Sequence, residues 1–458
     1  MSFPSPEYDV SHAPRSAFAD VLARVSPALA TGGRRLVRIA LPVPDLDPLA
    51  WLSAQEDDVK VYWSGRHADH ESAGIGVADV FAPDADADYD SLLERVRSAI
   101  LAGDEGVRYY GGIAFDRKQP HDGRWEAFGS YRFWLPRFEL QREGGATKLI
   151  CNLAFPDDEA DLKRILSRLD DLPLSPIAVS RPEHGTPAGR ADTPPHDDWI
   201  EAVQWALESF EQTRLRKVVL ARRSTFTFDS ELDALALLHR VKASTPECFH
   251  FYFQPGDGSA FIGATPERLY SRHGRRIETE AVASTRPRGA TPSEDEQLAQ
   301  DLLSSDKDVR EHEFVRRSIS AAIAPYCATF HQDRNRTVMR LAKRMHLLSR
   351  FRGTLRDDVS DADLLRALHP TPAVGGYPTT DALRSIAALE GFDRGWYAGP
   401  VGWAGADDAE FAVGIRSALV RGRDISLFSG AGIVAGSDPE SEWAEIEQKI
   451  ADFTERLS

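Results

Sequence analysis

Short apolar runs bounded by turn residues recur along most of this 458-residue chain, and they do not alternate with helices in a regular βαβ rhythm. The stretches RRLVRIALPVP, VKVYWSG, RYYGGIAFD, SYRFWLPRFELQRE and ATKLICNLAF read as strands in the first third. Helical patterns such as DYDSLLERVRSAILAG lie between them. Further on, FHFYFQPGDGSAFIGATPERLYSRHGRRIETEAVAS reads as three strands, with turns at Pro-Gly-Asp-Gly and His-Gly-Arg. Residues 232–245 and roughly 293–325 read as helical, and a last helix starts near 439. This mixture predicts an α+β fold. No repeat of fixed period is present.

The chain divides on composition into an N-terminal α+β region, 1–173, an exposed connector, 174–199, rich in Pro, Gly and charge, and a region 200–458. The N-terminal strands are expected to pack on the rest, giving one structural unit.

A net charge of −16 argues against nucleic-acid binding. No apolar run approaches the roughly 20 residues of a membrane span. The start of the chain lacks a basic segment followed by an apolar one, so no secretory signal is expected. The three cysteines, Cys151, Cys248 and Cys327, have no metal-ligand or redox spacing. A cytoplasmic protein is the expectation. An anionic substrate would then need a local cation.

Within RLRKVVLARR, alternation places Lys217 in a strand too apolar for a solvated edge. Only nine of the 55 basic residues are lysines. Arginine keeps its proton, whereas a desolvated lysine can lose it, so Lys217 is a candidate base. From local sequence alone, pairing with a carboxylate or reaching out to water is the commoner explanation of such a lysine.

Carboxylates occur at helical spacing in two places. Glu442, Glu445 and Lys449 share one face of the last helix, which Ser437 or Asp438 can cap. Asp308, Glu311 and His312 fall within one turn of an earlier helix. Two such helices can converge on a hard cation, though solvated salt-bridge faces have the same spacing. Glu267 follows a strand ending Gly-Ala-Thr-Pro, where a partly desolvated acid or an exposed turn residue fits. Gly430 and Gly432 read as a strand end running into a glycine turn, and HPTPAVGGYP as a tight turn. Arg416 reads as a lone cation in an apolar strand, in need of an anionic partner from protein or substrate.

In order, KVVLARR, FIGATPER, ETEAVASTRPRG, LLSSDKDVREHEFV, HPTPAVGGYP, GWYAGPVGW, IRSALV, LFSGAGIV and SDPESEWAEIEQK resemble the chorismate-utilising enzymes of menaquinone, siderophore and tryptophan pathways. The resemblance covers about residues 195–455. DPLAWLSAQ and KVYWSGR look like the isochorismate synthases among them. It implies large antiparallel-rich sheets packed together and flanked by helices. It implies an isomerase that adds water at C2 of chorismate and expels the C4 hydroxyl. Lys217 would be the base and Glu267 the acid. Glu311, Glu442 and Glu445 would hold Mg²⁺, with Asp308 beside them. Arg416 and Tyr397 would hold the enolpyruvyl carboxylate, and Thr285, His346, Thr371, Gly430, Gly432 and Lys449 would complete the pocket. Ammonia-using relatives lack the lysine at 217, and aminodeoxychorismate synthases carry a nucleophilic lysine where Ala283 stands, so water is the expected nucleophile. No glutamine amidotransferase subunit is expected. Salicylate synthase and an inactive chorismate-binding paralogue are the alternatives. The family usually has Gly where Ser284 stands; a positive φ there would cost on the order of 1 kcal/mol.

Overall fold

Among the described residues of the computed structural model (18–20, 22, 34–83, 89–116, 122–175 and 185–455), the strands form two sheets, one of twelve strands and one of ten. The pairs within both are antiparallel, and helices flank them. The fold is α+β, as the strand and helix patterns predict. The larger sheet runs from Arg35–Val43 through the N-terminal strands to Val59–Ser64, then Phe249–Pro255, Ser259–Thr265, Ser417–Arg421, Asp424–Val434 and Lys217–Thr227. The smaller includes Arg344–Leu355, Arg276–Pro287, Arg268–His273, Asp408–Val413, Pro400–Gly405 and Arg108–Ile113. Strands from before residue 174 and after residue 199 therefore share both sheets.

An aromatic cluster joins the two sheets. Trp134 of the smaller sheet stacks on Phe253 of the larger, with ring centroids 6.0 Å apart. Trp396 packs edge-on against Phe128, Phe253 and Phe261. Such offset and edge contacts suit the ring quadrupoles and exclude water from the seam.

Four local readings differ from the structure. The stretch read as three strands makes four, because Pro266 and Glu267 separate Ser259–Thr265 from Arg268–His273. The region 293–325 holds two helices, Pro292–Ser304 and Asp306–Ile323. Ser305 between them is extended, and its hydroxyl accepts the Asp308 N–H, capping the second helix. Residues 189–193, within the expected connector, form an exposed strand on the Arg223–Thr227 end of the Lys217 strand; residues 176–184 of the connector lie outside the described residues. Gly430 and Gly432 stand inside the Asp424–Val434 strand, opposite Ala221 and Val219, rather than in a turn. The chain turns later, around Gly436, whose φ is +90°.

Candidate active site

Two strand pairs cross between the sheets side by side, and the site lies at the crossing. Ser259–Thr265 pairs with Ser417–Arg421 in the larger sheet. Their continuations, Arg268–His273 and Asp408–Val413, pair in the smaller one. Glu267 and Arg416 occupy the two joints. The joints are tied together: the Val413 N–H donates to the Glu267 carbonyl at 3.0 Å, and the Ala264 N–H to the Arg416 carbonyl at 3.1 Å. Arg416 therefore sits between two strands, with φ +51°, and not within one. A run of apolar residues hides a change of sheet, because both strands are buried.

Glu267 is 4% exposed, not a solvated turn residue. Burial pushes its carboxyl up to about 8, against the pull of Lys217 and with the help of Glu280. A carboxylic acid that keeps its proton at neutral pH can donate it to a leaving group.

Both joints line a cavity, together with Ser284, Thr285, Asp308, Glu311, His346, Tyr397, Gly430, Gly432, Glu442, Glu445 and Lys449. The Arg416 guanidinium makes no side-chain hydrogen bond or ion pair among the described residues, although burial and Arg344 both disfavour its charge. An unpaired guanidinium on a cavity wall is a receptor for a carboxylate. The Tyr397 hydroxyl is on the same wall, held protonated by burial. His346 is neutral at physiological pH, because burial and then Arg416 press it down to about 3. Its Nδ1 faces the Ser284 carbonyl at 3.0 Å, which can only accept. The proton therefore sits on Nδ1, and the partnerless Nε2 is left as an acceptor.

Lys217 is fully buried and points at Glu311, with Nζ 3.1 Å from Oε1. It sits behind Gly432, whose missing side chain leaves the room: a Cβ there would come within 2.7 Å of Glu311 Oε1 and 3.1 Å of Lys217 Cε. The strand end is fixed from both sides. Gly376–Tyr377 pairs with Lys217 and Val218, and buried Arg394 donates to the Val219 and Val374 carbonyls. Glu390 completes the clamp by accepting the Ala221 N–H at 2.7 Å. Gly432→Ala is expected to displace Glu311 and Lys217 and to reduce activity at least about tenfold without unfolding the protein, measured by kinetics beside a thermal melt.

The two carboxylate helices do meet at this cavity. Each glutamate there is matched by a lysine: Glu311 by Lys217, Glu442 by Lys307 at 3.3 Å, and Glu445 by Lys449 at 2.6 Å. Burial raises the Glu442 carboxyl despite Lys307, whereas Lys449 holds Glu445 below its usual range against the opposing effect of burial. Asp308 pairs with Arg286 at 2.8 Å. Among the described residues, no three His, Cys, Asp or Glu side chains close into a metal cage. The donor set is nonetheless oxygen-only and carboxylate-rich, with Glu442 buried and Glu311 and Glu445 partly exposed, which fits a hard divalent cation completed by water and substrate oxygens. Lys307, with about half of its side chain exposed, is placed to yield Glu442 to such a cation.

Two predicted residues stop short of the wall. Lys217 reaches it only through Glu311 and Gly432. Thr371 does not line the cavity, although its neighbours Ala373 and Val374 do, and its buried hydroxyl has no partner among the described residues. His312 turns away: its Nε2–H donates to the Ala281 carbonyl at 3.3 Å, and burial presses its imidazole down to about 4. The sequence reading missed Lys307, although its i, i+4 spacing to Glu311 places it on the same helix face. It also missed the contact of the Ser284 hydroxyl with Glu311, for which the serine in place of the family's usual glycine was the signal.

At the seam of two antiparallel sheets the cavity thus offers a buried proton donor beside a receptor for an anionic group, as an enzyme acting on a small anionic substrate requires. The chain belongs to the chorismate binding enzyme family, whose profile matches residues 23–458. It is 34% identical to isochorismate synthase 2 of Arabidopsis thaliana, a chloroplastic protein, over 92% of this chain and 80% of that one. It is 32% identical to the isochorismate synthase MenF of Escherichia coli over 92% and 93%. The structure of the menaquinone-specific isochorismate synthase from Escherichia coli superposes with a TM-score of 0.82 at 29% identity, covering 96% of this chain and all of that one. Anthranilate synthase component I from Streptococcus pneumoniae, at 20% identity and a TM-score of 0.70, has the same fold.

Proposed function

We propose that this protein catalyses the reversible conversion of chorismate to isochorismate. The observation that carries the reading is the protonated, buried Glu267 on the same wall as the unpaired Arg416, with Lys217 held just behind Gly432 and Glu311. Water bonds to C2 of the ring and gives a proton to Lys217. The ring double bonds shift, the C4–O bond breaks, and Glu267 supplies the proton that lets the hydroxyl leave as water. One water enters and one leaves, so the reaction is an isomerisation. Arg416 and Tyr397 orient the enolpyruvyl carboxylate, and the His346 Nε2 accepts from a substrate hydroxyl or a bound water. Thr285, Gly430, Gly432 and Lys449 shape the pocket floor, and Thr371 supports it from behind the Ala373–Val374 segment.

Glu311, Glu442 and Glu445 would hold Mg²⁺, with Asp308 beside them. The cation would neutralise the ring carboxylate, which a chain of net charge −16 otherwise repels. Lys217 and Ala283 support water over ammonia as nucleophile, and with it an enzyme that works without a glutamine amidotransferase subunit. The three free cysteines fit a reducing compartment such as the cytoplasm, and no helix among the described residues is long and apolar enough to cross a membrane. The relatives include proteins named for menaquinone, salicylate and 2,3-dihydroxybenzoate routes, and the product would enter one of these.

Chromatography of the products from chorismate and Mg²⁺ tests the reading. Isochorismate in balance with chorismate, absent in EDTA, is the expected result. Salicylate with pyruvate would make the protein a salicylate synthase, and loss of all turnover with chorismate binding intact would make it an inactive paralogue.

A further inference from the structure

Ser284 is the extra residue of a β-bulge. Ala283 pairs with Leu347 and Thr285 with His346, so Ser284 has no partner in the ladder. Its φ is +61°, where a glycine would sit without strain. The side chain is 6% exposed, and its hydroxyl is 2.9 Å from Glu311 Oε2 and 3.0 Å from the Asp308 carbonyl. A hydroxyl has one proton to give, and the ionised carboxylate is the stronger acceptor. Lys217 meets the other oxygen of the same carboxylate. The bulge thus spends backbone strain to bring a donor to Glu311.

We propose that Ser284 is a positioning residue for Glu311, and that its hydroxyl raises the affinity of the Glu311, Glu442 and Glu445 carboxylates for a divalent cation. Donors that bond a ligating carboxylate fix its orientation and preserve its remaining lone pairs for the cation. The inference rests on the metal reading given above.

Titration calorimetry with Mg²⁺ alone, beside thermal unfolding with and without Mg²⁺, tests it in the full chain. Ser284→Ala keeps the strain and loses the hydroxyl; Ser284→Gly loses both. Both variants are expected to bind Mg²⁺ about tenfold more weakly than the parent. Without Mg²⁺, Ser284→Gly is expected to melt at or above the parental temperature, which separates lost affinity from lost folding. Parental affinity in either variant overturns the inference while leaving the metal reading standing. A parent chain that shows neither Mg²⁺ heat nor a Mg²⁺-dependent rise in melting temperature overturns both.

Discussion

Glu267→Gln is expected to lower kcat by about 10³-fold and to make the protein more stable at high pH. Glutamine matches the shape of the protonated acid but has no acidic proton to deliver. The stability effect has a definite sign. The folded carboxyl titrates at about 8, against a reference value of 4.5. Between those values the native chain holds a proton that the unfolded chain has released. The contribution of Glu267 to stability therefore falls as pH rises through that window, by up to about 1.4 kcal/mol per pH unit, and is constant above it. Glu267→Gln removes this slope. Melting temperatures of variant and parent should diverge in the variant's favour from pH 5 to pH 8. Equal shifts across that range, or near-parental turnover, would move the acid elsewhere.

Lys217→Gln is expected to lower kcat by a similar factor, about 10³, with KM for chorismate within about threefold. The substitution keeps most of the side-chain length behind Gly432 but removes the amine. Lys217→Arg separates base from charge: it keeps a cation beside Glu311 and cannot release a proton in the biological range. Both variants should be inactive if Lys217 acts as the base. An arginine variant with more than a few per cent of parental turnover would show that only the charge is needed. Measured together, steady-state kinetics and chorismate binding distinguish a lost proton acceptor from a disrupted pocket.

The rules that held along the chain are those that act between near neighbours. Asp438 caps the last helix through the Ser441 N–H at 2.9 Å, with Pro439 in its first turn. The helix over Ala234–Ser244 ends within two residues of its expected bounds. Strand readings such as Ala146–Phe155 follow from a short apolar run bounded by turn residues. Helical spacing also put Glu442 and Glu445 on one face, and Asp308 and Glu311 on another.

Errors arose where a distant element decided the local state. Gly430 and Gly432 look like a turn, because glycine is usually a breaker. They remain in a strand because the paired Lys217–Thr227 strand satisfies their backbone, while Tyr397, Glu311 and Lys217 fill the space above. The Arg416 run looks continuous because alternation reports which face is buried and not which sheet a strand joins.

The sequence by itself determined the α+β class, most helix and strand positions and the residue types available for proton transfer. Only the tertiary structure decided that Lys217 meets Glu311, 94 residues away, and that Glu267 and Arg416 share one seam between sheets. It also decided that Glu267 keeps its proton and that Ser284 faces Glu311. The physical reason is range. Propensity, capping and periodicity act over a few residues, whereas desolvation and ion pairing depend on what the fold brings across the cavity.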